Sequence, residues 1–317
     1  MSGFSILSTA KAVPEKVVTN DDLAKIMDTS DEWITRRTGI KTRHIANKET
    51  TTSLCTNVAE KLLQRARVDV SEIDFIIVGT MSSDYQTPST AAAVQGLIGA
   101  TNAVAFDINA ACSGFVFGLD ILNSLLNQKV ESKGILIGGE TLSKMIDWND
   151  RSTAVLFGDG AGGVLVSNQG SGQILSKDLK TYGDKGSSLT AGHMSKTDKN
   201  ADIYFHMDGR AVYDFATHSV PASITRAADV AKLDLKDIDY FVLHQANARI
   251  IKSVSRKLGI SIDRFPININ HYGNTAAASE PILLEELTQH GTITRGNIVA
   301  LSGFGGGLTT GTVILKY

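Results

Sequence analysis

The sequence predicts an α/β protein assembled from two similar halves. Three observations carry this. Apolar, β-branched runs such as "DFIIVGT" and "AGGVLVS" alternate with amphipathic helical stretches, the pattern of sheets covered on both faces. Several of these segments recur in the same order later in the chain. Finally, 317 residues that are 42% hydrophobic and 20% charged supply ample apolar material for a large core.

The opening stretch "MSGFSILSTAKAVPEK" reads as a strand and a turn. It has neither a basic leader nor a long apolar centre, so no signal peptide is expected. "TSDEWITRRTGI" reads as a helix capped by Ser30. Cys55 sits inside the helical "TTSLCTNVAEKLL" and is expected to serve packing. Ala59–Thr80 then reads as helix, polar turn and buried strand, and Thr225–Gln245 repeats it. At one offset Ala66 meets Ala231, Asp69 meets Asp234, Ile73 meets Ile238 and Asp74 meets Asp239.

The strand "AFDIN" runs into "AACSGF". Phe115, Leu119, Leu122 and Leu126 recur at helical spacing, so a helix starts near Ser113 and Cys112 lies at its mouth. Unpaired N–H groups and the positive end of the helix dipole favour a thiolate there. The alternative is a buried structural thiol, a common role for a free cysteine. "GILIGGE" (134–140) has its counterpart in "NIVALSG" (297–303), and "AGGVLVS" (161–167) in "TGTVILK" (310–316). These matches divide the chain near residue 170, into halves 1–170 and 171–317. "GDGAGG" formally fits a dinucleotide-binding loop, but a strand follows where a helix is required.

In the second half, "DYFVL" runs directly into "HQANARI", placing His244 at a strand end. Asn274, within a glycine-flanked turn, follows the extended run "FPININ", which reads as a further core strand. Each has a plain structural reading, a core histidine and a turn asparagine. "GFGGG" near the C-terminus reads equally as a tight turn or as backbone able to approach a ligand closely. "NARIIKSVSRKLGI" reads as a helix with Arg249, Lys252 and Arg256 along one face and Ile251, Val254 and Leu258 on another.

Bulk properties narrow the function. The net charge of −2 provides no global field for nucleic acid or an anionic membrane. Two cysteines cannot form a disulfide framework, which points to a reducing cytoplasm. None of the seven histidines shows paired-ligand spacing, so metal is disfavoured. No run approaches the ~18 apolar residues of a membrane span. Ligands of open α/β sheets gather beyond the carboxyl ends of strands. If the two halves face each other, Cys112, His244 and Asn274 converge. That set suits an acyl-thioester intermediate opposed by two hydrogen-bond donors.

In "TSDEWITRRTGIKTRH", "AACSGF", "DRSTAVLFGDGAGG", "HQANARI", "HYGNTAAAS" and "GFGGG", the chain resembles the β-ketoacyl-acyl-carrier-protein synthase III family, end to end. These are the initiating condensing enzymes of bacterial type II fatty-acid synthesis, in the thiolase-like superfamily. The resemblance implies a duplicated αβαβα five-layer fold with two mixed sheets, and a homodimer. It implies a triad of Cys112, His244 and Asn274 and an oxyanion hole from the N–H groups of Cys112 and Gly306. Phe304 would stand beside the reactive centre. Trp33, Arg37 and Arg151 would hold the coenzyme A nucleotide, and Asn247 would lie near the pantetheine channel. The basic stripe of Arg249, Lys252 and Arg256 would dock the malonyl form of acyl carrier protein rather than remain a solvated face.

The implied reaction condenses a short acyl-CoA, by default acetyl-CoA, with malonyl-acyl-carrier protein through acyl-Cys112. Coenzyme A enters as a thioester substrate, with no bound cofactor and no metal. Other readings of the same residues are a thiolase-fold acyltransferase of secondary metabolism and a Cys-His-Asn thioester hydrolase. Three positions depart from the family pattern: Thr87, Glu280 and Thr310. They leave the choice of primer open.

Overall fold

The computed structural model of the chain describes residues 3–193, 197 and 202–317, so Met1 and Ser2 of the opening stretch lie outside the described residues. Strand β1 (Ser5–Ala12) comes first. A small two-stranded sheet of β2 (Val17–Thr19) and β3 (Thr42–His44) brackets helices α1 (Asn20–Ala24) and α2 (Asp31–Thr38). Ser30 caps α2 as the sequence predicts, accepting from the Trp33 N–H, and Gly39 ends it in the left-handed region. There follow α3 (Thr51–Ala66), β4 (Phe75–Gly79), α4 (Thr90–Ile98), β5 (Val104–Ile108) and α5 (Gly114–Leu126). Then come β6 (Lys133–Glu140), the short α6 (Arg151–Ala154) and β7 (Gly160–Ser167).

The second half starts with β8 (Gln173–Thr181), followed by the short pair β9 (Leu189–Thr190) and β10 (His206–Met207). Next are α7 (Gly209–Ala231), β11 (Tyr240–Leu243), α8 (Ala248–Leu258) and α9 (Ile269–Tyr272). Helix α10 (Ser279–Gln289) leads into β12 (Ile298–Gly305) and β13 (Thr309–Lys316).

Two mixed sheets organise these elements. The first runs β1-β7-β6-β4-β5 and the second β11-β12-β13-β8. β4 pairs parallel with β6 as β11 pairs with β12, and β6 antiparallel with β7 as β12 with β13. The repeat seen in the sequence is therefore a repeat of topology. It extends to the caps: Arg67 and Lys232 both end their helices in the left-handed region, and Asp69 and Asp234 both close capping boxes.

The same offset carries past the segments recognised by sequence. The 3-10 turn Ala111–Ser113 opening α5 answers the turn Ala276–Ala278 opening α10. Both begin with an alanine at positive φ, 48° for Ala111 and 44° for Ala276. A non-glycine residue held there costs about 1–3 kcal/mol, strain that recurs at functional sites.

Helices α5 and α10 lie between the two sheets. Phe115, Val116, Leu119, Leu122 and Leu126 of α5 share one buried cluster with Leu283 and Leu284 of α10 and with strands of both sheets. Each such side chain contributes about 1.5–3 kcal/mol relative to exposure. Helices α3 and α4 cover the outer face of the first sheet, with Cys55 fully buried among them, and α7 and α8 cover the second. The result is the five layers that the resemblance implies.

One expectation needs correction. Asn274 does not follow a core strand. The run Phe265–Asn268 forms no ladder with β11, and the four-residue α9 intervenes before Asn274, which makes only an isolated bridge to Phe157. Pro266 removes one donor from this run, which suits it to a sheet margin rather than a paired strand.

Candidate active site

The mouth of α5 and the loop ahead of α10 border a cavity of about 1170 Å3. Cys112, His244, Asn274, Phe304 and Gly306 all line it, as does Asn247. The three polar groups that the sequence reading brings together therefore line one cavity. Each is nearly inaccessible, at 5% exposed for Cys112, 1% for His244 and 7% for Asn274.

Cys112 is the middle residue of the strained turn before α5. The β12 strand crosses it closely: a Cβ placed on Gly305 would fall 2.7 Å from the Cys112 nitrogen and 2.8 Å from its Cβ, so only glycine fits. The helix mouth alone predicts a lowered thiol pKa. Enclosure of the site opposes that effect. Burial pushes the Cys112 thiol well above its ordinary value, and the nearby Glu140 and Glu280 carboxyls push it further. The N–H groups of Cys112 and Gly306 act on the sulfur in the opposite sense. Two backbone donors thus converge where an anion would form.

His244 directly follows β11, its N–H bonded to the Ser302 carbonyl of β12 at 2.9 Å. Its ring meets Phe304 edge-on at 5.1 Å, and Nδ1 lies 2.6 Å from Ser279 Oγ. Burial pushes its pKa down to about 3, so the imidazole is neutral near pH 7. Asn274 Oδ1 accepts from the Ala276 N–H at 2.9 Å. With its acceptor end tied to the backbone, the group left for a ligand is the Nδ2 donor.

Two buried carboxyls escaped the sequence reading as site groups. Glu140 ends β6 fully buried, hydrogen-bonded to Ser82, Thr80 and the Met81 N–H, and burial raises it to about 7. Glu280, noted only as a departure, is also fully buried, and burial raises its carboxyl far above the usual range. In "GILIGGE" a glutamate at the end of a strand reads as a solvated terminus; no local signal reveals that the end is enclosed.

Outside the cavity, Trp33, Arg37 and Arg151 form one cluster. Both guanidinium carbons lie 5.4 Å from the indole centroid. Arg151 also bonds Asp28, and neither the tryptophan nor the arginines line the cavity. Asn247 links the two regions: it caps α8 through Oδ1 and donates to the Arg37 carbonyl at 3.1 Å. From there α8 presents Arg249, Lys252 and Arg256 outward while Ile251 and Val254 are buried. Thr310 is fully buried with its Oγ1 unpartnered, and Thr87 is exposed beside the cavity-lining Gln86. Among the described residues no group of three or more His, Cys, Asp or Glu side chains is placed to hold a metal ion.

Comparison with known proteins gives concordant matches. The family model for 3-oxoacyl-[acyl-carrier-protein] synthase III matches residues 106–183, and that for its C-terminal part matches residues 228–317. A Lactobacillus helveticus β-ketoacyl-[acyl-carrier-protein] synthase III is 55% identical over 99% of this chain and 98% of its own. The Limosilactobacillus reuteri protein of the same name is 52% identical over the whole of both chains. Among solved structures, 3-oxoacyl-[acyl-carrier-protein] synthase III from Aquifex aeolicus superposes with a TM-score of 0.95 at 41% identity, covering 99% of this chain and all of the other. The priming β-ketosynthase of the R1128 polyketide pathway gives 0.94 at 30% identity, covering 99% and 96%.

Proposed function

The chain belongs to the 3-oxoacyl-[acyl-carrier-protein] synthase III family, and from that premise we propose which of its groups perform each part of the condensation. It is an acyltransferase-type condensing enzyme of thiolase-like fold that initiates fatty-acid biosynthesis. Cys112 attacks the thioester carbonyl of a short acyl-CoA, by default acetyl-CoA, and coenzyme A leaves. Malonyl-acyl-carrier protein then enters and loses CO2. The enolate so formed attacks the acyl-Cys112 carbonyl and releases β-ketoacyl-acyl-carrier protein and the free thiolate.

The convergence of Cys112, His244, Asn274 and Gly306 on one cavity carries this assignment. The Cys112 and Gly306 N–H groups favour an anion at the sulfur, which suits them to a tetrahedral oxyanion developing beside it. Decarboxylation places negative charge on the malonyl thioester oxygen. His244, neutral through burial, and Asn274, with only donors to offer, can stabilise that oxygen without binding it as a fixed ion pair. Phe304 holds the imidazole edge.

Substrate handling follows from the outer cluster. Trp33, Arg37 and Arg151 offer an aromatic plane and two guanidinium groups to the coenzyme A nucleotide, and Asn247 lies on the route inward. The exposed Arg249, Lys252 and Arg256 give an acidic carrier protein a complementary face. Homodimerisation is assigned to β5, which among the described residues pairs on one side only and carries Val104 at 58% exposure. The halves are taken to divide near residue 170, between β7 and β8. A cytoplasmic setting keeps the free thiol of Cys112 reduced.

The test supplies acetyl-CoA and malonyl-acyl-carrier protein and follows both protein and product by mass spectrometry. Acetyl-Cys112 and acetoacetyl-acyl-carrier protein are expected. Free acetate without condensed product would make the protein a thioester hydrolase instead.

A further inference from the structure

Ser279, the first residue of α10, has three polar neighbours. The Gln245 N–H donates to its Oγ at 3.2 Å, His244 Nδ1 lies at 2.6 Å, and Glu280 Oε2 at 2.9 Å. A hydroxyl has one proton and two lone pairs. The Gln245 N–H takes one lone pair. The remaining proton and lone pair must be divided between Nδ1 and the carboxyl, and only two divisions exist. An ionised Glu280 can only accept, so it takes the serine proton, Nδ1–H must donate to Oγ, and Nε2 is left bare. Protonated on Oε2, the oxygen that has a partner while Oε1 has none among the described residues, Glu280 donates to Ser279, Ser279 donates to Nδ1, and the imidazole proton resides on Nε2.

We propose that Glu280, acting through Ser279 as a neutral acid, is a positioning residue that holds the His244 proton on Nε2. This deepens the reading of His244 as a donor to the thioester oxygen and rests on it. The surroundings of Glu280 favour the neutral form. It is fully buried, its Oε1 has no hydrogen-bond partner among the described residues, and a Cβ on Gly303 would come within 2.8 Å of that oxygen. Neither β7 nor β12, which pack on α10, carries a titratable side chain. Tyr240 starts β11, and Lys133 at the start of β6 pairs with Glu72. Lys11 of β1 is engaged by Glu285 and Glu286. His244, Cys112 and Glu140 at the end of β6 also stand near, and none of them offers a cation while His244 is neutral. Burial accordingly pushes the carboxyl far upward.

The sign of the pH dependence follows. Glu280 stays protonated as pH rises until its elevated pKa is reached. Beyond that point the serine proton turns to the carboxylate, Nε2 loses its hydrogen, and one of the two thioester-oxygen donors disappears. Condensation should then fall by roughly 10²-fold, the cost of one such donor.

Glu280→Gln and Glu280→Leu separate the possibilities. The amide of E280Q can donate to Ser279 at every pH, whereas leucine can neither donate nor accept. Nitrogen-15 NMR of histidine-labelled protein, with His244 assigned by its loss in His244→Asn, should show hydrogen on Nε2 in the wild type and in E280Q at pH 7. E280L should show a mixture of both tautomers. The alkaline fall in condensation should be present in the wild type and absent in E280Q. Hydrogen on Nδ1 in the wild type, a single Nε2–H form in E280L, or the same alkaline fall in E280Q would each overturn the proposal. The NMR result stands whether or not acetoacetyl product forms, so failure of the condensing assignment is read separately.

Discussion

Gly138 of β6 approaches the turn before α10 so closely that a Cβ on it would fall 1.9 Å from the Ala277 carbonyl oxygen. The contact joins the first sheet to the helix mouth of the other half, and it is made by backbone that cannot yield. Gly138→Ala should therefore destabilise the protein by about 1–3 kcal/mol through overpacking. Calorimetry would show a lowered Tm. Because the displaced turn carries Ser279 at its end, condensation should fall more steeply than acylation of Cys112.

Asn274→Asp tests the donor role with little change of shape. The aspartate can still accept from the Ala276 N–H, as Asn274 Oδ1 does. What changes is the other end, a donor replaced by negative charge facing a developing anion. Decarboxylation should drop by ~10²–10³-fold. Transfer of acetyl from acetyl-CoA to Cys112 should persist, as a retained 42 Da mass shift would report; equal loss of both would deny Asn274 a specific part in decarboxylation.

Charge reversal on α8 separates the two substrates. Arg249→Glu with Arg256→Glu leaves the buried face of the helix intact, since both side chains point outward. The KM for malonyl-acyl-carrier protein should rise severalfold and lose its salt dependence, while priming by acetyl-CoA is spared. Steady-state kinetics at two ionic strengths would decide it.

Trp33→Ala gives the complementary result. It removes the plane shared by Arg37 and Arg151, and exposed cation–π pairs are worth about 0.5–1 kcal/mol each. A rise of roughly fivefold to thirtyfold in the KM for acetyl-CoA is expected, with little change toward the carrier protein. Isothermal titration with coenzyme A would measure the same loss directly.

How much of this the sequence displays depends on whether the signal is local. Segment 59–80 and its repeat are legible because the turn chemistry survives duplication: Asp69 and Asp234 cap, and Ile73 and Ile238 anchor. The duplication of the Cys112 turn in Ala276–Ala278 is not, because a cysteine, a serine and a glycine have become alanines and a serine while the backbone path is kept. Cys112, His244 and Asn274 are legible as three abrupt polar residues beside apolar runs. The strand expected before Asn274 is absent because pairing depends on a neighbour that local pattern cannot supply. Glu140 and Glu280 are invisible for the same reason, since their burial is set by elements distant in the chain. At Cys112 the helix mouth is legible, but the enclosure and the two carboxyls that push the thiol upward are not.

Glu140 makes that last balance measurable. Its carboxyl is raised from the ordinary 4.5 to about 7. Above pH 7 it is ionised, and its charge opposes a second negative charge on Cys112. Glu140→Gln removes that opposition, so the pH profile of Cys112 alkylation by iodoacetamide should move to lower pH. Stability should respond in the matching sense. The native carboxyl keeps its proton between pH 4.5 and 7 while the unfolded chain loses it, so the wild type forfeits up to about 3 kcal/mol across that window. Urea titrations at pH 4.5 and 7.5 should show this slope in the wild type and a flatter one in E140Q. An unchanged alkylation profile would mean that Glu140 exerts no field at the sulfur, and that burial alone holds the thiol protonated.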